Sequence, residues 1–176
     1  MATEIQLIPV AELSTGQAAA IRNGAIDAVI KLAAPKFHLP PTKLVVRDIR
    51  PKLDLDYTYA TWMETTGTTA NAYETMSSGT LADRRYIGIY GIQDSSEAYN
   101  VSKLKISVGN SVKSIWFLEN LYPYNGGPRI GFARSVIIIP QNTPYLIQRY
   151  VTNTSAGAQI ILKGFVVEPY GKVLSP

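Results

Sequence analysis

The chain of 176 residues contains no cysteine and a single histidine. The missing thiols exclude a disulfide framework, thiol catalysis and thiolate metal ligation. His38 stands alone in a Phe-His-Leu-Pro-Pro segment, so it cannot build a histidine metal site, and we interpret it as a linker side chain. The sequence also has no serine-hydrolase, phosphate-loop or zinc-protease motif. We therefore expect a protein that is not an enzyme and that has no cofactor and no metal.

Charge is also scarce. Charged residues make up 17% of the chain and hydrophobic residues 46%, whereas about a quarter of an average chain is charged. This composition fits a domain whose surface partly contacts something other than water, and it equally fits a β-protein with a neutral polar surface. The net charge is +4, but the basic residues are dispersed. We expect neither a specific nucleic-acid partner nor a small-molecule substrate.

No apolar run is long enough to span a membrane. The longest, Ala18–Ala34, is interrupted by four polar or charged residues, Arg22, Asn23, Asp27 and Lys31. The segment Met1–Val10 carries Glu4 and lacks the basic region of a secretory signal. We expect a protein that is made in the cytoplasm and is not integral to a membrane.

The first 41 residues are predicted to form an arm, a helix and a proline linker that pack on a β-domain. Met1–Val10 alternates loosely and indicates an extended arm or an edge strand. Ser14 and Gln17 have the spacing of a capping box, which predicts a helix beginning there. We expect the helix to reach about Ala34, because a residue before proline resists the helical conformation.

The predicted helix is apolar around most of its circumference. Asn23, Asp27 and Lys31 form one narrow polar stripe, so the helix needs cover on more than one side. Three interpretations stay open: it covers a face or edge of the β-domain, it packs on a neighbouring subunit, or it lies on a lipid surface. Its exposed stripe carries little positive charge, which makes lipid the weakest of the three.

Residues 42–176 are predicted to form one β-barrel or sandwich. About nine short β-like runs follow one another at spacings of roughly 8–14 residues, with no helical pattern between them. The runs are Thr42–Ile49, Leu53–Trp62, Ala72–Met76, Arg84–Gln93, Asn100–Val108, Val112–Leu118, Ile130–Ile139, Pro144–Thr152 and Gln159–Val167. The prediction is an all-β fold, a single jelly roll of about eight strands with an N-terminal arm and one helix.

Few side chains suggest a site. In the predicted strand Leu53–Trp62, Asp54 and Asp56 fall on one face and could hold a hard cation, although alternating surface charge explains them better. The segment Tyr122–Arg129 combines two tyrosines, two prolines and an arginine, residue types that anchor interfaces and stack on sugars. Its Gly126-Gly127 pair is equally typical of an ordinary turn.

This layout resembles the small single-jelly-roll capsid proteins of tailless icosahedral viruses, in particular thermophilic bacteriophages with an internal membrane. The resemblance lies in the arm–helix–linker order, the run Met1-Ala2-Thr3-Glu4-Ile5-Gln6-Leu7-Ile8-Pro9 and the stretch Ile137-Ile138-Ile139-Pro140-Gln141-Asn142-Thr143-Pro144-Tyr145. It implies a structural protein of the virion that forms a homo-oligomer or pairs with a second capsid protein, close to a viral membrane. It implies no catalytic residue.

The elements expected to make the contacts are the arm, the helix and the tyrosine-containing loop. The candidate interface residues are Ile5, Leu7, Ile21, Ile26, Val29, Ile30, Tyr122, Tyr124 and Arg129. The alternative function is a β-sandwich module that binds carbohydrate on a virion or a cell-surface fibre. Trp62 and Trp116 could then supply an aromatic platform, but both lie in apolar runs where core packing is favoured. A cupin-like enzyme would need histidines that the chain lacks.

Overall fold

A computed structural model describes residues 3–96, 98–123, 129–154 and 157–172, with side chains from Gln6 onward. The described chain contains two helices, α1 (Thr15–Phe37) and α2 (Pro51–Leu55). Its strands are β1 (Thr3–Gln6), β2 (Ile8–Pro9), β3 (Leu44–Asp48), β4 (Thr65–Thr66), β5 (Ala72–Thr80), β6 (Tyr86–Asp94), β7 (Val101–Val108), β8 (Ser111–Phe117), β9 (Arg129–Ile139), β10 (Pro144–Val151), β11 (Gly157–Ala158) and β12 (Ile160–Pro169).

The strands form two five-stranded sheets and one small ribbon. Sheet I has the order β1-β8-β7-β10-β5, and sheet II has the order β2-β9-β6-β12-β3. Neighbouring strands are antiparallel in both sheets, except that β1 runs parallel to β8. The predicted all-β sandwich is confirmed. Eight of the nine predicted β-like runs coincide with a strand, because alternation of apolar residues reports burial on one face.

The main core lies between the two sheets. From Ser102 in β7 and Tyr145 in β10 onward, buried and half-buried residues alternate, as expected when one face of a sheet meets the core. Ile106 and Ile147 are fully buried opposite each other in the register. Trp116 of β8 is also fully buried, which confirms its core role. Trp62 packs half-buried against the same core.

The N-terminal segment closes one open side of the sandwich. β1 adds to the edge of sheet I, and β2 adds to the edge of sheet II, so the intervening Leu7 sits between the sheets with 2% of its surface exposed. Asn120 donates a side-chain hydrogen bond to the carbonyl oxygen of Leu7. A Cβ on Gly131 would lie 2.8 Å from the Leu7 Cβ, so only glycine lets β9 approach this closely. The predicted edge strand is thus confirmed, within its own chain.

The predicted strand over Leu53–Trp62 is wrong. Pro51 begins the short helix α2 instead, and Asp56 ends it in the left-handed conformation. Proline presets the backbone angle of a first helical residue, and the Asp54 carboxylate accepts a hydrogen bond from the backbone N–H of Arg50, at 2.7 Å. Both signals are local, but the alternation of apolar residues concealed them.

Helix α1 covers the outer face of sheet II. Ser14 and Gln17 form the predicted capping box. A stripe at four-residue spacing is buried against Tyr86, Phe165 and Val167, and it consists of Ala25, Val29, Ala33 and Phe37. Of the three interpretations of this helix, cover of its own β-domain is confirmed.

The predicted end of α1 before Pro35 is wrong. The helix continues to Phe37, and His38 ends it in the left-handed conformation. The Phe37 ring packs edge-on against Tyr86, with the ring centroids 5.5 Å apart. This buried contact stabilises the last turn enough to offset the unfavourable residue before proline.

Replacing Leu7 with alanine tests whether the arm belongs to its own subunit. We expect Leu7→Ala to lower the free energy of unfolding by about 2–5 kcal/mol, because it leaves a cavity between the sheets. Gln6→Ala, one residue away and exposed, serves as the control and should change it by less than about 0.5 kcal/mol. Urea denaturation of dilute protein measures both. Equal stability of the two variants would mean that the arm packs elsewhere.

Candidate functional site

The predicted interface residues do not form one surface. Leu7 and Val29 are buried within the chain, which leaves them little surface to offer a neighbour. Ile26 and Ile30 pack half-buried between α1 and sheet II, and Ile21 borders a groove between α1 and β9. The side chain of Ile5 and the whole of Tyr124 lie outside the described residues. Tyr122 and Arg129 are half-buried beside each other and are considered below.

In the described residues, the helices do not pack on the outer face of sheet I. Helix α1 packs on strands of sheet II, and α2 contacts sheet I chiefly at β5. The strand register places Tyr73, Tyr150, Lys103 and Phe117 in one row across the sheet, and Gln148, Lys105 and Ile115 in the next. Leu146 follows on β10. We call this surface the lysine–aromatic face; its residues are Tyr73, Lys103, Lys105, Ile115, Phe117, Leu146, Gln148 and Tyr150, all half-buried.

The lysines of this face lie against its aromatic rings. The Nζ atom of Lys105 is 4.0 Å from the Tyr73 ring centroid, and the Nζ of Lys103 is 5.0 Å from that of Phe117 and 5.6 Å from that of Tyr150. Tyr73 and Tyr150 also contact each other edge to face at 5.1 Å. Each cation–π contact is worth about 0.5–1 kcal/mol at an exposed site. The face is therefore broad, positively charged and partly ordered before any partner binds.

A second uncovered surface lies on the connection between β3 and β5. Leu53, Tyr59 and Met63 are 54%, 42% and 48% exposed, which is unusual for large apolar side chains so close in sequence. The segment is held from beneath by Tyr57, whose hydroxyl donates to the Met63 carbonyl oxygen at 3.1 Å. The Tyr57 ring packs 5.1 Å from that of Trp62. We call this segment the 53–63 loop. The strand predicted over Leu53–Trp62 gave no indication of this exposed loop.

Asp54 belongs to a buried ion-pair cluster and not to a pair with Asp56. Arg47 binds Asp54 through two hydrogen bonds, of 2.7 and 2.8 Å, and binds Glu168 at 2.6 Å. Arg85 donates to Glu168 at 2.8 Å and lies 3.7 Å from Asp54. Both carboxylate side chains are fully buried, whereas Asp56 is exposed. The predicted shared face of Asp54 and Asp56 is therefore wrong, because Asp54 lies within helix α2 and Asp56 caps its end.

The cluster holds the Glu168 carboxylate in the ionised state. Burial by itself would raise the pKa of Glu168, but the hydrogen bonds and charges of Arg47 and Arg85 outweigh it and lower that pKa. Burial likewise opposes ionisation of Arg47, yet its contacts with Asp54 and Glu168 raise its pKa. Such paired groups neither give nor take a proton near neutral pH. The cluster joins β3, α2, β12 and the residue before β6, and its role is structural.

The third feature is an open cleft lined by Tyr99, Glu119 and Tyr122, with Arg129 next to Tyr122. The Tyr122 hydroxyl donates to buried Asp94 at 2.5 Å, and Arg129 lies 5.2 Å from the Tyr122 ring centroid. Tyr99 meets Tyr122 edge to face at 4.2 Å. With Glu119 the two tyrosines line an open cleft of about 410 Å³. Burial and the nearby Glu119 raise the pKa of Tyr99 to about 12, so its hydroxyl stays protonated at neutral pH.

Neither a metal centre nor a membrane-spanning helix is found in the part of the chain that the structure describes. Within residues 3–96, 98–123, 129–154 and 157–172, no three carboxylates or histidines are grouped as metal ligands. Among the same residues, no helix combines the length and apolar character that crossing a bilayer requires. No protein-family model, curated protein or solved structure matches this chain.

Acid titration of stability tests the ion-pair cluster. A carboxyl group whose pKa is lowered on folding stabilises the protein above its unfolded-state pKa, and this contribution disappears as the pH falls through the folded value. For Glu168 we expect full stabilisation above about pH 5 and a progressive loss below about pH 4.5. Glu168→Gln should lower the free energy of unfolding by about 3–5 kcal/mol at pH 7, since it breaks a buried ion pair.

The matched control is Asp27→Asn, which neutralises an exposed carboxylate on α1. Its free energy of unfolding should differ from that of the unmodified protein by less than about 0.5 kcal/mol at pH 7. Denaturant unfolding at several pH values between 3 and 7 measures all three proteins. The difference in free energy of unfolding between Glu168→Gln and the unmodified protein should become smaller as the pH falls. A Glu168→Gln variant of unchanged stability at pH 7 would contradict the structural role.

Proposed function

We propose that this protein is a structural subunit of an icosahedral viral capsid, built on a jelly roll. The observation that carries the proposal is the strand order. Numbered along the chain, the eight long strands are β3, β5, β6, β7, β8, β9, β10 and β12. Sheet I then takes the second, seventh, fourth and fifth of them, and sheet II the first, eighth, third and sixth. This order supports a jelly roll, which combines eight strands in two Greek keys and occurs in capsid proteins, lectins and cupins.

The chemistry of the chain favours the capsid class among these three. Cupin enzymes bind a metal through histidines, and this chain has one histidine, in a linker. No enzymatic role is proposed for the buried Asp54 and Glu168, because both are neutralised by arginines. What the chain offers in abundance is surface for contact with other proteins.

Several uncovered surfaces point in different directions, as a shell subunit requires. The lysine–aromatic face lies on sheet I, and the 53–63 loop lies on the connection that covers one side of the sandwich. Helix α1, on the outer face of sheet II, exposes Leu32 to 52%. Contiguous exposed apolar surface, such as Leu53, Tyr59 and Met63 offer on the 53–63 loop, marks protein interaction sites. A subunit in a closed shell contacts neighbours on all sides, whereas a ligand-binding module needs only one working face.

Concentration-dependent association tests the proposal. We expect purified protein to form dimers or larger species as its concentration rises, measured by light scattering coupled to gel filtration. The double variant Leu53→Ser, Met63→Ser should need at least about tenfold more protein to reach the same mass, since it loses apolar area at the contact. Tyr170→Ser, which removes a highly exposed aromatic side chain outside these surfaces, is the matched control. A strict monomer at every concentration would contradict self-assembly by this chain alone.

The alternative function, a carbohydrate-binding module, rests on the Tyr99–Tyr122 cleft. Aromatic rings can stack on a sugar, and a carboxylate beside them can accept hydrogen bonds from the sugar hydroxyl groups. The cleft supplies both kinds of group. The platform expected from Trp62 and Trp116 does not support this function, because Trp116 is fully buried.

Titration calorimetry against a panel of glycans separates the two functions. For the capsid function we expect no heat of binding from any neutral oligosaccharide at millimolar concentration. The control is Tyr99→Ala, which removes one wall of the cleft and should then behave like the unmodified protein. Saturable binding that Tyr99→Ala abolishes would favour the carbohydrate module.

A further inference from the structure

We propose that the lysine–aromatic face binds an acidic, partly apolar surface on a different protein chain, and not the same face of a second copy. This inference rests on the proposed function only in identifying the partner as a neighbouring protein of the shell. It assigns a contact surface on this chain and the chemistry that its partner must present.

The charges on β5, β7, β8 and β10 oppose a symmetric contact through the lysine–aromatic face, although the edge strand β1 places Glu4 in register with Ile115. The outward positions of β5, β7, β8 and β10 carry Lys103, Lys105 and the exposed Lys113, and these four strands place no carboxylate outward. Their one acidic residue, Glu74, turns toward the buried Arg149 and toward Thr68. Two copies meeting through this face would oppose lysine to lysine, and like charges brought together across an interface cost several kcal/mol.

The ring contacts of the lysines favour a protein surface over a sugar or a nucleic-acid base. A pyranose or a base would have to stack on the open face of an aromatic ring. Here the ammonium group of Lys105 lies 4.0 Å above Tyr73, and that of Lys103 lies over Phe117 and Tyr150. The ring faces are thus occupied, whereas each ammonium group has three hydrogen-bond donors to offer a partner. Carboxylates set among apolar groups match such a surface.

The dimensions of the face fit one contact among several. Strand β7 has eight residues, which span about 26 Å, and four strands span about 19 Å across. The face therefore measures roughly 500 Å², less than the about 800 Å² that each partner contributes to a standard stable interface. The lysines are already ordered on the rings before a partner binds. Their side chains therefore lose less conformational entropy on binding, which favours a contact of this small size.

A charge-reversed copy of this chain can act as the acidic partner. The variant Lys103→Glu, Lys105→Glu keeps the shape and the apolar groups of the face but inverts its charge. Mixed with a fluorescently labelled unmodified protein at about 50 mM salt, it should form a one-to-one complex, measured by fluorescence anisotropy. Its affinity should fall at least about tenfold at 500 mM salt, where the screening length is only a few ångströms. The variant alone and the unmodified protein alone should show no such complex at that concentration.

The matched control is Lys31→Glu, Lys36→Glu, which makes the same change of charge at exposed positions on α1. It should not bind the unmodified protein. Circular dichroism and thermal melting show whether each variant is folded, and a single variant, Lys105→Glu, replaces the double one if the latter unfolds. A charge-reversed variant that binds no better than the control would overturn the inference. Salt-dependent binding of a 20-nucleotide oligothymidine that Lys103→Ala, Lys105→Ala abolishes would also overturn it, in favour of nucleic acid.

The two proposals fail separately. In one outcome, the unmodified protein assembles as its concentration rises while its mixture with the charge-reversed variant forms no complex. That result would support the capsid function and contradict the assignment of this face. If the mixture forms a complex but the unmodified protein alone remains monomeric in every condition, the acidic partner of this face is supported. The proposal of a self-assembling capsid subunit is then contradicted.

Discussion

The constraint on which this structure depends is closure of the two open sides of the sandwich. Two stacked sheets leave a gap between their edges at each side, through which water would reach the core. Leu7 fills one gap by linking β1 on sheet I to β2 on sheet II. Helix α2 covers the other, where Leu55 is fully buried and its carbonyl oxygen accepts a hydrogen bond from Ser77 of β5. Since both covers come from the same chain, the subunit can fold before it meets a neighbour.

Helix α2 is held in place by a buried ion-pair cluster, and this cluster also positions the 53–63 loop on the surface. Replacing a buried ion cluster by apolar residues often stabilises a protein, so the cluster of Arg47, Asp54, Arg85 and Glu168 is better understood through its geometry. Its forked hydrogen bonds fix α2 in one orientation on β3 and β12. The 53–63 loop begins within α2, so an apolar contact surface is held in place by a polar cluster behind it.

Local sequence signals predicted the elements well and the surfaces poorly. The capping box of Ser14 and the alternation along β7 depend on neighbours within a few residues, and both were confirmed. The extension of α1 past Pro35 depends on Phe37 meeting Tyr86, a contact distant in sequence. The lysine–aromatic face requires the register of four strands, which brings Tyr73 beside Tyr150 and Lys103. Neither pattern nor composition contains that register, so the dispersed lysines concealed a clustered face.

The two sheets differ in a way that bears on function. Helix α1 covers sheet II with a stripe of small and apolar side chains, and its own polar residues face outward. Sheet I has no such helical cover among the described residues, although its outward rows contain three aromatic rings. If solubility alone had shaped this face, polar residues would serve better than rings capped by lysines. A half-buried aromatic surface with one sign of charge is understandable as a surface that another chain covers, and the acidic character of that chain follows from the lysines.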